Sequence, residues 1–283
     1  MRKVQPHLLA RIVVEALAED LGPGDATSEA IVPTDLQARG EIRSRNPVVA
    51  AGVDVAVRTF RALDEQVQVV EAANDGDLIP AGGSLLAVVG KARALLSAER
   101  TALNFLGRLS GIATLTRRFV EAAAPHRPAI ADTRKTTPGL RLLEKCAVTA
   151  GGGVNHRLGL WDAILIKDNH IDLAGGVKAA LGSARACNPA GLRIEVEVRS
   201  LVELEEALEA GADEVLLDNF PLDDLAVAVE KSRGRAVVEV SGGVTLESIP
   251  RIAALGVDRI SIGALTHSAP AADLTMRIRT WKT

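Results

Sequence analysis

Two apolar runs in this chain end on charged residues of a kind that binds anions. Ala129, Ile130 and Ala131 lead into Asp132, Arg134 and Lys135, while Ala163 to Ile166 lead into Lys167 and Asp168. Between them, just after Gly151, Gly152 and Gly153, stands a second basic pair, His156 and Arg157. If the two runs are neighbouring parallel strands, these cations and the histidine converge. Like charges held close repel in proportion to their burial, so the set calls for a ligand carrying more than one negative charge. Arginine's planar fork suits a carboxylate and lysine's compact charge suits phosphate, so a carboxylate-bearing substrate and a phosphate-bearing one would use both.

Acidic and glycine-containing segments complete the chemistry. In the run RIEVEVR, Glu195 and Glu197 alternate with valines and therefore share one face of a strand. Buried carboxylates need a cation or metal beside them, and an internal ion-pair layer accounts for one of the two. Asp218 ends the run VLLD, where hard oxygen ligands suit Mg2+ shared with a diphosphate and water. Ser241-Gly242-Gly243 and Gly263-Ala264 each follow a strand-like run, and backbone N–H groups in such turns cradle phosphate. His267 follows the second turn, where a lone histidine is more often structural. A zinc site from Cys146, His156 and His170 is disfavoured, because no ligand pair has helical or knuckle spacing. Two glycine-rich stretches lack the spacing of a phosphate loop or a dinucleotide fingerprint, namely Gly83 to Gly90 and Gly22 with Gly24.

The elements that must position these groups are legible in the apolar pattern. Apolar runs at Ala129–Ala131, Ala163–Ile166, Ile194–Val198, Glu214–Leu217, Val237–Val240 and Arg259–Ile262 alternate with helical patterns such as Leu201, Leu204, Leu208 before Gly211. Alternation of this kind gives a parallel sheet, and the spacing favours an α/β barrel, whose strand ends share one rim. Upstream, His7 to Glu19 has a one-faced helical pattern. Short runs at Ala38–Ser44, Val67–Ala72 and Leu85–Val89, separated by turn signals, predict a small antiparallel sheet. Ser97 is the expected N-cap of a linking helix, with a bend at Ser110-Gly111 and with Arg100 and Arg108 as solvated surface arginines by spacing.

The pattern ADTRKTTPGLRLLEKCAVTAGGGVNHRLGLWDAILIKDNH resembles the quinolinate phosphoribosyltransferase family, and the resemblance runs over essentially the whole chain. It implies an N-terminal α/β sandwich over residues 1–110, an incomplete α/β barrel of about seven parallel strands over 111–269, and a tail, 270–283, packing on the first domain. The implied reaction joins quinolinate to phosphoribosyl pyrophosphate and releases pyrophosphate and carbon dioxide, giving nicotinate mononucleotide for NAD synthesis. Arg134, His156, Arg157 and Lys167 would hold the ring carboxylates, with Arg100 supplied by the neighbouring chain. Lys135 and Mg2+ would neutralise pyrophosphate, and Glu197 and Asp218 would contact the ribosyl donor. Ser241, Gly242, Gly243, Gly263, Ala264 and His267 would surround its phosphate. The resemblance implies a homodimer with a shared site, with a hexamer as the alternative. Two rival readings are a related barrel phosphoribosyltransferase acting on another aromatic acid and a non-catalytic barrel that binds phosphometabolites.

Composition limits the partners. The 283 residues carry 33 Lys and Arg against 36 Asp and Glu, a net charge of -3, so no basic field exists for nucleic acid. Two cysteines without CxxC spacing fit a reducing compartment, no window reaches membrane-spanning length, and the expected location is cytoplasmic.

Overall fold

The computed structural model describes residues 5–281 and divides into two compact units. The first comprises residues up to Arg117, Thr136–Gly152 and Leu265 onward; the second comprises Arg118–Lys135 and Gly153–Ala264.

In the first unit, α1 (Pro6–Leu21) starts on a proline and buries Leu9, Ile12, Val13 and Leu17 on one face. Asp25 caps α2 (Ala26–Ile31), its carboxylate accepting from the Ser28 N–H at 3.0 Å and the Ser28 hydroxyl at 2.6 Å. There follow β1 (Gln37–Ser44), β2 (Val48–Val49), α3 (Val53–Leu63), β3 (Gln68–Ala72), β4 (Leu78–Ile79) and β5 (Ser84–Lys91). The expected antiparallel sheet is present, and α3 is an addition to it. VDVAV reads as strand-like alternation, but Asp75 accepts the Val53 N–H at 3.2 Å and Gly52 turns the chain, starting a helix that buries Val57 and Phe60. The core joins Phe60 to Ile42, Leu86, Val88, Leu95 and Leu106.

The linking helix differs from expectation in two respects. It is α4 (Ala92–Ala122), 31 residues long, so Ser97 lies inside it and gives its hydroxyl to Asp25 at 2.9 Å instead of capping. It also runs unbroken through Ser110-Gly111. Gly111 is there for clearance, because a Cβ would come within 2.0 Å of the Pro270 carbonyl. Arg108 is no solvated surface residue either. It pairs with the fully buried Glu144 at 2.8 Å and donates to the carbonyls of Thr266 and Ala269.

The next elements are β6 (Ala129–Ala131), α5 (Arg141–Ala150), β7 (Ile164–Ile166), α6 (Asp168–Ala174), α7 (Val177–Ala186), β8 (Ile194–Val198) and α8 (Leu201–Glu209). The chain continues through β9 (Glu214–Asp218), α9 (Leu222–Ser232), β10 (Val237–Ser241), α10 (Ile249–Ala253), β11 (Arg259–Ser261), α11 (Ala264–His267) and β12 (Leu274–Thr280). The last strand pairs antiparallel with β1, giving the first unit's sheet the order β12-β1-β5-β3.

In the second unit six strands form a parallel sheet in the order β6-β11-β10-β9-β8-β7. Apolar side chains cover both faces of such strands, which is why they read as near-continuous runs in the sequence. A seventh position is held by one residue: Val154 bridges Ala131 in parallel on the edge of β6 away from β11, through Val154 N–H to Ile130 and Asp132 N–H to Val154. The α/β class is therefore as expected, with the seventh strand reduced to this bridge.

Candidate active site

The strand ends of the second unit surround a cavity of about 490 Å3. Parallel register places the last residue of each strand on one rim, so charges far apart in sequence become neighbours. Arg134, Lys135, His156, Arg157 and Lys167 line it together with Glu197, Asp218, Ser241, Gly242 and Gly243.

The basic loop is held from below by Asp132, which is fully buried. One of its oxygens accepts the His156 N–H at 2.9 Å and the other the Asn155 amide at 2.7 Å. Asp162 closes the same loop, accepting the N–H groups of Leu158 at 2.7 Å and Gly159 at 3.1 Å. Arg157 is thereby fixed at the cavity wall, its guanidinium Nε buried without a hydrogen-bond partner among the described residues. Burial and, next, the charge of Arg134 lower its pKa. A buried guanidinium whose charge is disfavoured by its surroundings and by a neighbouring arginine is what a bound anion relieves.

The two glutamates of β8 take different jobs. Glu197 faces the cavity and pairs with the Lys167 ammonium at 2.5 Å. Glu195, two residues deeper, is 1% exposed and meets His156 Nε2 at 2.9 Å. It belongs to an internal ion-pair layer that also contains Glu239 and Arg259.

His156 departs from its expected role as a direct carboxylate ligand. Its Nε2 faces Glu195 and Glu239, and its Nδ1 accepts the Arg157 N–H at 2.8 Å, so both ring nitrogens are spent inside the protein. Nε2 carries the proton. Burial alone would lower the imidazole pKa, but the hydrogen bonds and charges of the two carboxylates outweigh it and raise it to about 9. His156, Glu195 and Glu239 are also the one group of three potential metal-ligating side chains among the described residues, but the Arg259 guanidinium already sits against Glu239.

On the opposite wall Asp218 ends β9, and Asn219 follows with a positive φ of 56°. Gly242 packs against it so closely that a Cβ would lie 2.2 Å from the Asn219 side-chain oxygen and 2.9 Å from its backbone nitrogen. With φ at +92° as well, only glycine fits, and the Ser241-Gly242-Gly243 turn stays open to the cavity.

Four expected residues are not among those lining this cavity. Gly263 and Ala264 lie at the start of α11, half-buried. His267 is exposed at the end of α11, its Nδ1 2.6 Å from the Ser268 hydroxyl, and Arg100 is exposed on α4. Six residues line the cavity without having been anticipated: Thr133, Leu165, Leu216, Asn219, Glu239 and Ser261. Glu239 carried a usable signal, since VVEV repeats the alternation of IEVEV.

Comparison with known proteins places this geometry in context. Residues 25–110 match the model of the quinolinate phosphoribosyl transferase N-terminal domain and residues 112–277 that of its C-terminal domain. A probable nicotinate-nucleotide pyrophosphorylase [carboxylating] of Bacillus subtilis is 43% identical, over 96% of this chain and 94% of its own. The nicotinate-nucleotide pyrophosphorylase [carboxylating] of Mycobacterium leprae is 46% identical, over 92% and 93%. The solved structure of the nicotinate-nucleotide pyrophosphorylase from Francisella tularensis superposes with a TM-score of 0.94 at 41% identity, covering 98% of each chain.

Proposed function

The chain belongs to the quinolinate phosphoribosyltransferase family, and from that premise we propose that it transfers the phosphoribosyl group of phosphoribosyl pyrophosphate to quinolinate with loss of carbon dioxide. The product is nicotinate mononucleotide, a step of de novo NAD synthesis. The observation that carries this reading is the cavity lining itself, divided between three cations, Arg134, Arg157 and Lys167, and Asp218 with the Gly242-Gly243 turn. That division suits a dicarboxylate held against a phosphorylated sugar.

The residues' chemistry follows from their positions. Arg134 and Arg157 bind the ring carboxylates, and the charge of Arg134 beside the buried Arg157 makes an empty site less favourable than a filled one. Lys167 joins them once a carboxylate competes with Glu197 for its ammonium. Lys135, exposed at the rim, neutralises the departing pyrophosphate. Glu197 and Asp218 accept hydrogen bonds from the ribose hydroxyls and favour positive charge developing at the anomeric carbon. Bond formation at the pyridine nitrogen makes the ring cationic, and that charge stabilises the carbanion left when the adjacent carboxylate departs, so decarboxylation follows transfer.

Asp218 fits Mg2+ better than Glu197 does. Its carboxylate is engaged by the Asn219 amide at 2.8 Å on one oxygen, and a single carboxylate completed by donor phosphates and water is a common Mg2+ environment. Glu197 is already held by an ammonium. When bound, Mg2+ supplies charge neutralisation to the diphosphate.

Arg100, exposed on α4, is assigned to a neighbouring copy's cavity in a homodimer. A cytoplasmic location is supported by two free cysteines and by the absence, among the described residues, of a helix long and apolar enough to cross a membrane. The test is direct. The protein is mixed with quinolinate, phosphoribosyl pyrophosphate and Mg2+, and carbon dioxide and nicotinate mononucleotide are measured. Equal turnover of nicotinate, which lacks the second carboxylate, would overturn the assignment in favour of a related enzyme.

A further inference from the structure

Beneath the cavity lies a layer of buried charge that the reaction as described does not use. Strands β8 and β10 contribute Glu195 and Glu239, which are 1% and 0% exposed. Strand β9 runs between β8 and β10, and the two carboxylates meet at one point, His156 Nε2, which both approach. Arg259 of β11 stands directly across from Glu239 in the parallel register and is ion-paired with it through Nε. It also reaches Glu214 at 2.7 Å and Glu195 at 3.9 Å. A carboxylate at the base of a cavity built for anions works against its ligand unless it is neutralised. Apolar residues of similar size would fill the same space without that difficulty.

What the layer accomplishes is seen at its upper surface. His156 Nε2 lies 2.9 Å from Glu195 and 3.4 Å from Glu239, and its Nδ1 accepts the Arg157 N–H at 2.8 Å. The ring is gripped from below by two carboxylates and from the side by the amide of a residue whose guanidinium lines the cavity.

We infer that Glu239 is a positioning residue for capture of the dicarboxylate: with Glu195 and Arg259 it fixes the His156 ring, and the ring, through Nδ1, fixes the backbone that aims Arg157. The inference rests on the reading of the cavity as a quinolinate site. It assigns His156 to orientation and leaves substrate contact to the arginine that follows it.

The test is Glu239→Gln, which keeps the shape and replaces one of the two carboxylates facing Nε2 by an uncharged amide. The expected result is a rise of about tenfold in the KM for quinolinate, with kcat and the KM for phosphoribosyl pyrophosphate within about twofold of wild type. Nitrogen NMR of the His156 ring should show one state in wild type and more than one in the variant. The double variant Glu239→Gln/Arg259→Gln separates positioning from mere charge pairing. If Glu239 acts on the ring, the KM defect persists; if it serves only as a counterion for Arg259, the wild-type KM returns and the inference falls. Where Glu239→Gln alone does not fold, the double variant, which removes the unmatched guanidinium while Arg193 still pairs with Glu214 at 3.0 Å, carries the same comparison. An unchanged quinolinate KM, or equal losses on both substrates, would also overturn it. If the wild-type protein neither binds nor converts quinolinate, the functional reading fails instead, and an identical ring spectrum in both proteins would still remove Glu239 from this role.

Discussion

The charge state of His156 makes the stability of the protein depend on pH in a direction that can be worked out from its surroundings. The ring is 8% exposed, and the carboxylates of Glu195 and Glu239 raise its pKa from 6.5 to about 9. Because the folded value lies above the unfolded one, the protonated ring's contribution is fully present below about pH 6.5 and is lost as pH rises through about 9. At about 1.4 kcal/mol per unit, the shift corresponds to about 3–4 kcal/mol. The Arg157 N–H that donates into Nδ1 must be displaced before that nitrogen takes a proton, so the measured loss falls at or below this figure. Urea unfolding of wild type and of His156→Gln at several pH values from 6 to 9.5 measures it, the variant serving to subtract every other titrating group. The difference between the two proteins should shrink as pH rises. Parallel curves, or a difference that grows with pH, would refute the reasoning.

Three further outcomes follow from other parts of the structure. Arg108→Ala leaves the buried Glu144 without the guanidinium that pairs with it, which should cost about 3–5 kcal/mol by denaturant melting, whereas Arg108→Lys should recover only part because a single nitrogen cannot reproduce the two-pronged bond to Glu144 and the bonds that the other guanidinium N–H groups give to two carbonyls. Gly242→Ala drives a methyl against Asn219 at a positive φ; it should destabilise the fold by about 1–3 kcal/mol and raise the KM for phosphoribosyl pyrophosphate more than that for quinolinate, as steady-state kinetics would show. Mixing inactive Arg100→Ala and Lys167→Ala chains should restore turnover by forming hybrid dimers with one intact site, and continued inactivity after confirmed subunit exchange would count against a shared site.

The legible part of this fold is the part governed by local pattern. The strands of the parallel sheet were located to within a residue or so, because each carries a short buried apolar run whose few charged members, such as Glu195 and Glu239, alternate with valines. Helix α3 was not, since VDVAV carries the alternation of a strand and the decision is made by Asp75, more than twenty residues downstream, at its first N–H. Ser97 and Ser110-Gly111 have the right types for a cap and a bend. What they do instead is set by Asp25 and Pro270, which sequence spacing cannot bring to them. Arg108 fell into the same class, a polar position on a helix whose partner Glu144 lies on another. In the site, Arg134, Lys135, Lys167 and Asp218 were singled out from their places just after apolar runs and do line one cavity, whereas Glu197 was told apart from Glu195 only by the family resemblance. The engagement of both His156 nitrogens was not, because it depends on how Glu195, Glu239 and the Arg157 N–H pack around the ring, which spacing does not give.

The two glutamates of β8 show why depth, and not residue type, decides what an ion pair in this site can do. Residues two apart on a strand share a face but are separated by about 7 Å along it, enough to put Glu197 at the mouth and Glu195 a layer below. At the mouth the partner is Lys167, whose side chain is 46% exposed. A pair so open to water is worth on the order of 1 kcal/mol or less, so an arriving carboxylate can take the ammonium from Glu197 at little cost. In the layer below, Glu195 and Glu239 face His156 and Arg259 out of contact with solvent. Removing one partner there costs about 3–5 kcal/mol, so those pairs stay closed while the ones above exchange. A rigid charged floor under an exchangeable rim lets the cavity hold its cations close together before the ligand arrives and surrender them to it when it does.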